Sequence, residues 1–128
     1  MKVLPVALPV LLASVLSVAA AGEIKPYSQP QFDALAASGN PIVLAIHADW
    51  CPTCKAQKPI LDALMARPAF KDVTTLTIDF DADKALLARY RVGMQSTLIA
   101  FKGARELGRS VGDTTPAGIE GLIHKTVD

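Results

Sequence analysis

The sequence predicts an α/β fold in which a central mixed sheet, with parallel strands and a C-terminal antiparallel hairpin, is flanked by helices. Two continuous apolar runs, IVLAI (42–46) and TLIAF (97–101), are typical of strands buried on both faces. Amphipathic stretches alternate with the first strands, as expected when helices connect parallel strands. A glycine at position 103 predicts a tight turn and a hairpin at the end of the sheet.

The elements are expected in the order βαβαβαββα. A short edge strand is expected near Tyr27, followed by a helix with Pro30 in its first turn. The segment 38–41 (SGNP) ends this helix, and the strand 42–46 follows it. The inner face of the first helix is predicted to carry Phe32, Leu35 and Ala36.

The strand 42–46 leads into a second helix, in which Pro59 should produce a kink. Pro68 is expected to end this helix or to lie just beyond it. A second strand is predicted at 74–79, with Leu76 and Ile78 on one face. The buried stripe of the second helix is predicted to consist of Ile60, Leu61, Leu64 and Met65.

The last third of the chain predicts a short helix over 83–89, the strand 97–101 and its antiparallel partner RELGRSV (105–111). Thr115 is the expected N-cap of the final helix, with Pro116 at its first position. Its inward residues are predicted to be Ile119, Leu122, Ile123 and Val127.

Residues 1–21 differ from the rest and predict a cleavable signal peptide that precedes a single domain at 22–128. Lys2 is followed by a long apolar run, and Ala19 and Ala21 provide the small residues that a signal peptidase recognises. Cleavage is expected before Gly22 or one residue earlier, which makes the mature protein periplasmic or secreted. The alternative is an uncleaved leader that anchors the protein in a membrane.

The composition of the mature chain excludes some classes of partner. Its 107 residues (128 minus 21) suffice for one domain with one core, and 12 basic residues (13 minus Lys2) balance 12 acidic ones. Because no basic block or aromatic-rich basic patch is present, nucleic acid is not an expected partner.

Both cysteines of the chain lie in the segment DWCPTCK (49–55). A disulfide that closes so short a loop removes little entropy from the unfolded chain, so this pair would stabilise the fold poorly. In an exported protein the spacing therefore favours redox chemistry over a structural bridge.

The chain resembles the thioredoxin superfamily over nearly its whole mature length, from about Tyr27 to Val127. The resemblance rests on four features: ADWCPTCK (48–55) directly after an apolar strand, Pro59, YRVGMQSTLIAFKG (90–103), and the late VGD (111–113). It implies a thioredoxin-like fold and an exported thiol–disulfide oxidoreductase that uses Cys51 and Cys54 as its redox couple.

The chain departs from the family pattern at three positions. Ser96 occupies the place of the usual cis-proline, Ala45 that of a buried acid, and His47 that of an aromatic residue. A cis bond before a residue other than proline costs about 2.5–4 kcal/mol, so the Gln95–Ser96 bond is expected to be trans, with the serine hydroxyl close to the sulfurs.

The position of the motif between a strand and a helix predicts unequal roles for the two cysteines. Free N–H groups and the dipole at a helix start favour a thiolate, which makes Cys51 the expected nucleophile and the more exposed cysteine. Cys54, one turn further on and more buried, would resolve the mixed disulfide.

Other residues are expected to modulate the site. Trp50 offers an apolar surface to the substrate, and His47 and Lys55 are candidates for a proton shuttle or a thiolate stabiliser, with ordinary surface roles as the alternative. The remaining candidates for substrate binding or modulation are Pro52, Thr53, Gln95, Ser96, Thr97 and Gly112.

The expected partners are proteins with disulfides or thiols and a protein electron donor, for which a membrane thiol–disulfide relay is one candidate. No cofactor is predicted, and the protein is expected to be a monomer. The absence of histidine or lysine between the cysteines favours a reductase. The alternatives are a metal or iron–sulfur site built on the paired cysteines and a redox-inactive binding module.

Overall fold

The computed structural model describes residues 2–5, 13–16 and 20–128. About half of the predicted signal peptide, residues 1–21, therefore lies outside the described residues, and the signal peptide stays a prediction. Within the described ranges, no helix is both long enough and apolar enough to cross a membrane.

The secondary structure confirms the predicted order of elements and adds one 3₁₀ turn at Pro68–Phe70. The strands are β1 (Glu23–Pro26), β2 (Pro41–His47), β3 (Thr74–Asp79), β4 (Thr97–Lys102) and β5 (Arg105–Val111). The helices are α1 (Gln29–Ala37), α2 (Pro52–Met65), α3 (Lys84–Arg89) and α4 (Pro116–His124).

The strands form a mixed sheet in the order β1-β3-β2-β4-β5. Strands β1 and β2 run parallel to β3, whereas β4 is antiparallel to β2 and β5 is antiparallel to β4. Strand β2 is central, which explains why its run from Ile42 to Ile46 is apolar at every position: both faces of the strand are covered.

The sheet separates two apolar cores. Val43 and Ala45 of β2 face the core formed with α2 and α4, where Leu64, Met65 and Ile119 are buried. The alternate β2 residues face a second core formed with α1 and α3. Its buried members are Phe32, Ile42, Leu44, Ile46, Leu76, Ile78, Leu87, Ile99 and Phe101.

The helix starts follow the local chemistry of the sequence. Ser28 and Thr115 cap α1 and α4, each accepting a backbone N–H with its side-chain oxygen. The prolines in the first turns of α1, α2 and α4 remove no helical hydrogen bond, because the first N–H groups of a helix have no partner within it. Helix α2 runs on past Pro59 and ends at Met65, before Pro68.

The topology brings three loops to one edge of the sheet. Strand β2 ends at His47, directly before the cysteine motif. Since β4 is antiparallel to β2 and pairs Thr97 with Ile46, the residue before β4 lies at that same edge. Strand β5 ends at Val111, opposite Thr97, so the loop after β5 lies there as well. The segments around Cys51, Ser96 and Gly112 therefore meet.

Replacing the N-cap of α4 should destabilise the fold by a predictable amount. Thr115 Oγ1 accepts the N–H of Gly118 at 3.2 Å. The Thr115→Ala variant should lose about 1 kcal/mol of the free energy of unfolding, measured by urea denaturation. Thr114→Ala is the matched control, because the exposed Thr114 side chain makes no hydrogen bond among the described residues. Equal losses in both variants would contradict the capping role.

Candidate redox site

Cys51 is the N-cap residue of α2, and its sulfur takes the place that a serine oxygen takes in an ordinary cap. Its backbone is extended (φ −86°, ψ 112°), and its Sγ accepts the backbone N–H of Cys54 at 3.2 Å. A negative sulfur at this point is stabilised by that N–H and by the positive end of the helix dipole.

Ser96 places its hydroxyl against both sulfurs. Its Oγ lies 3.1 Å from Cys51 Sγ and 3.0 Å from Cys54 Sγ. The peptide bonds of the described residues are all trans, and Ser96 adopts a left-handed backbone conformation with φ of 60°. The expected trans Gln95–Ser96 bond and the hydroxyl near the sulfurs are both confirmed.

The Ser96 hydroxyl can bridge the two sulfurs as donor to one and acceptor from the other. A serine hydroxyl has one proton to donate and lone pairs with which to accept. When Cys51 is a thiolate and Cys54 a thiol, the Ser96 O–H donates to Cys51 Sγ and the Cys54 S–H donates to Ser96 Oγ. The charge on Cys51 is then stabilised by hydrogen bonds, and the proton stays on Cys54.

The acidities of the two thiols diverge accordingly. Burial raises the pKa of Cys51, but hydrogen bonds from Cys54, from the Ser96 hydroxyl and from the backbone outweigh it and hold this pKa below 9.0, its ordinary value. Burial and the neighbouring Cys51 raise the pKa of Cys54 above that value. The geometry thus makes Cys51 the nucleophile.

The prediction that Cys51 is the more exposed cysteine is wrong. Its residue surface is 1% exposed, against 8% for Cys54. Cys51 packs in a small cluster with Ala48 and Cys54, against which Phe80 lies, and the Ser96 hydroxyl contacts its sulfur.

A cavity of about 400 Å³ adjoins the site on the α2 side. Cys54, His47 and Ala45 line it, together with apolar and charged residues of β1 and α2. The small side chain of Ala45 leaves this space open at the position where the resemblance implies a buried acid. His47 thus lines the same cavity as Cys54. Among the described residues, its ring makes no hydrogen bond to either sulfur.

An apolar surface surrounds the site. Trp50 and Met94 lie in two of the loops that meet here, and Val111 ends β5 just before the third; each is more than half exposed. Trp50 is held in place because its Nε1–H donates to Asp81 Oδ2 at 2.7 Å. Among the described residues, these three are the exposed large apolar side chains at this edge of the sheet.

The other predicted site residues take supporting positions. Pro52 and Thr53 form the first turn of α2, and the backbone N–H of Thr53 helps to lower the pKa of Cys51. Gly112 has φ of 74°, and its N–H donates to the Ser96 carbonyl at 3.0 Å. Thr97 is buried and donates its hydroxyl to the Met94 carbonyl at 2.7 Å. Gln95 is half-buried beside them, whereas the Lys55 side chain is exposed.

Sequence reasoning missed two residues of the site, Gln57 and Asp81. Gln57 is buried and donates to the Ser96 and Asp113 carbonyls. A signal was available for it, since position 57 lies on the buried stripe of α2 between Cys54 and Leu61, where a polar side chain needs a partner. No comparable signal exists for Asp81, which meets Trp50 only through the tertiary fold.

Two thiols of unequal acidity, one turn apart at a helix start, define a site for reversible dithiol–disulfide exchange. They do not form a zinc site by themselves, because tetrahedral zinc takes four ligands. No group of three or more His, Cys, Asp or Glu side chains among the described residues could hold a metal ion. The fold and the site together define a thioredoxin-like thiol–disulfide oxidoreductase.

Comparison with known proteins identifies the family. The thioredoxin family model matches residues 23–125, and the chain belongs to this family. It is 37% identical over 102 residues to thioredoxin from Chlamydia trachomatis, which covers 80% of this chain and 97% of that protein. It is 30% identical over 101 residues to thioredoxin-2 from Saccharomyces cerevisiae, covering 78% and 94% of the two chains.

Solved structures agree with this assignment. The structure of Trxlp from Edwardsiella tarda superposes with a TM-score of 0.76 at 40% identity, covering 78% of this chain and 97% of that one. A mutant thioredoxin from Halobacterium salinarum has a TM-score of 0.73 at 21% identity, covering 88% and 96%, and supports the fold alone. The chain is therefore a thiol–disulfide oxidoreductase of the thioredoxin type.

Removing the Ser96 hydroxyl should make Cys51 less acidic. The Ser96→Ala variant loses the donor that lowers the Cys51 pKa, so that pKa should rise, and less thiolate should be present at neutral pH. Thiolate absorbance followed against pH measures the change. Ser110→Ala is the control, because the buried Ser110 hydroxyl has no hydrogen-bond partner among the described residues. An unchanged Cys51 titration in Ser96→Ala would refute the role of the hydroxyl.

Proposed function

We propose that the protein is an exported, monomeric reductase of protein disulfides, in which Cys51 attacks the substrate and Cys54 resolves the intermediate. The observation that carries the proposal is the hydrogen bonding of Cys51 Sγ, which accepts from the Cys54 N–H at 3.2 Å and lies 3.1 Å from the Ser96 hydroxyl. These donors stabilise a thiolate at the one sulfur that caps a helix.

The reaction transfers two electrons to the substrate. The Cys51 thiolate attacks one sulfur of a substrate disulfide, which forms a Cys51–substrate disulfide and releases the other substrate sulfur as a thiolate that takes up a proton. Cys54 then loses its proton and attacks Cys51 Sγ. The Cys51–Cys54 disulfide forms, and the substrate leaves with both sulfurs reduced. A dithiol protein must afterwards reduce the Cys51–Cys54 disulfide by the same exchange.

The surface around the sulfurs suits a protein substrate. The exposed side chains of Trp50, Met94 and Val111 belong to the segments that meet at this edge of the sheet, and exposed apolar side chains of this kind suit protein contact. Because Cys51 is only 1% exposed, attack on a substrate requires its surroundings, which include the Ser96 loop, to move aside.

Reduction is favoured over oxidation by the residues between the cysteines. Pro52 and Thr53 bring no positive charge beside Cys51, so the thiolate is stabilised by hydrogen bonds and the helix alone. A strong oxidant depends on a more stabilised reduced form. We therefore assign electron flow from a protein donor, for which a membrane thiol–disulfide relay is one candidate, through this protein to its substrates.

Export is proposed from the leader and supported by the point at which the fold begins. Residues 1–21 have the apolar run and the small residues of a signal peptide. Gly22 directly follows the expected cleavage point, and its N–H donates to the Met65 carbonyl at 2.8 Å. A free amino group at Gly22 can make the same bond, so removal of the leader leaves the contact intact.

The roles of the two cysteines are tested by trapping. Insulin reduction followed by turbidity should fall to the rate of the chemical reductant alone in Cys51→Ser. Cys54→Ala should instead accumulate a disulfide-linked adduct with the substrate, seen on a non-reducing gel and absent in the Cys51→Ser control. Activity retained in Cys51→Ser, or adducts on the wrong cysteine, would contradict the proposed order.

Processing of the leader is tested separately. When the full chain is expressed with a C-terminal tag in a bacterium, the mature protein should be periplasmic, and N-terminal sequencing should begin at Gly22 or one residue earlier. A charged residue at the cleavage site, as in Ala21→Asp, should leave the leader attached. A full-length protein in the membrane fraction of the unmodified chain would support the anchored alternative instead.

A further inference from the structure

Gln57 is a buried polar side chain in the helix that carries both cysteines. It is 3% exposed and lies three residues after Cys54, between that residue and the core residue Leu61. Burying an amide without partners costs free energy, so a residue of this type on the apolar side of a helix must be satisfied by specific contacts.

The contacts of Gln57 reach the two loops that face α2. Its Nε2 donates to the Ser96 carbonyl at 3.2 Å and to the Asp113 carbonyl at 2.8 Å. These two hydrogen bonds use both N–H groups of the amide. A single side chain thus ties the cysteine-bearing helix to the loop before β4 and to the loop after β5.

Ser96 is a residue that must be held in place. Its φ of 60° is left-handed, a conformation that residues other than glycine adopt only at an energetic cost. Its backbone N–H donates to the Ile46 carbonyl at 2.8 Å, and its carbonyl accepts from Gly112 and from Gln57. The bonds to Ile46 and Gly112 join Ser96 to the sheet and to the loop after β5. Among the described residues, only Gln57 joins the Ser96 backbone to α2.

We propose that Gln57 is a positioning residue for the redox reaction, which holds the Ser96 hydroxyl against Cys51 and Cys54 by anchoring the Ser96 carbonyl to α2. The inference rests on the proposed function, because it assigns to Gln57 a role in that site. Gln57 touches neither sulfur in the described contacts and acts through Ser96. It supplies by hydrogen bonding a rigidity that a proline ring at position 96 would supply covalently.

The test is a double-mutant cycle read out on the Cys51 thiolate. Gln57→Met keeps the length and burial of the side chain but removes both donors. Its Cys51 pKa, from thiolate absorbance against pH, should rise in the same direction as in Ser96→Ala. In the Ser96→Ala background, the Gln57→Met change should have no further effect on the Cys51 pKa, because the hydroxyl it positions is gone.

Two outcomes would overturn the proposal. An unchanged Cys51 pKa in Gln57→Met would do so, as would an effect of equal size in the presence and absence of the Ser96 hydroxyl. Ile42→Val is the control for a general loss of stability, since Ile42 is buried in the other core at the far end of β2. Its Cys51 titration should match that of the unmodified protein.

A second measurement needs no substitution. In the reduced, isotope-labelled protein, the Gln57 side-chain amide protons should exchange slowly with solvent and show nuclear Overhauser contacts to both the Ser96 and Asp113 loops. Fast exchange without these contacts would overturn the proposal even if Gln57→Met fails to fold. Both readouts are independent of turnover, so a failure of the reductase assay would not be mistaken for a failure of this inference.

Discussion

The hydroxyl of Ser96 between two sulfur atoms is the interaction on which the rest of the site depends. At 3.1 Å and 3.0 Å it contacts both cysteines, so its one proton can stabilise negative charge on the sulfur to which it donates. The Cys54 N–H and the helix start favour that charge on Cys51. Proline at this position has no side-chain proton to donate and no hydroxyl to accept one. This chain has therefore replaced a purely steric element by one that takes part in the acid–base balance of the dithiol.

The fold was predictable from the sequence because its signals are local. The apolar run 42–46, the capping Thr115 and the turn at Gly103 each specify a backbone conformation within a few residues. Pro59 is predicted to lie inside α2, and the helix continues past it to Met65. Packing of the apolar side of α2 against the sheet provides more stabilisation than one missing hydrogen bond removes.

The chemistry of the site was predictable only in part. The spacing of Cys51 and Cys54 after a buried strand indicated redox exchange, and the missing proline indicated a hydroxyl near the sulfurs. The exposure of Cys51 could not be inferred from the spacing of the cysteines, because it depends on how the Ser96 loop packs against the start of α2. The partners of Gln57 lie 39 and 56 residues away in sequence, so only the packed structure identifies them.

The position of Trp50 has an optical consequence. It is the only tryptophan of the chain, and it directly precedes Cys51 with its indole fixed by Asp81. Tryptophan fluorescence, excited at wavelengths that the two tyrosines do not absorb, therefore originates beside the reacting sulfurs. The surroundings of that one fluorophore would change on oxidation of the cysteines to a disulfide. They would also change when a partner docks on the apolar surface or when the loop before β4 is displaced. The molecule thus contains its own reporter, and turnover could be followed in real time without a label.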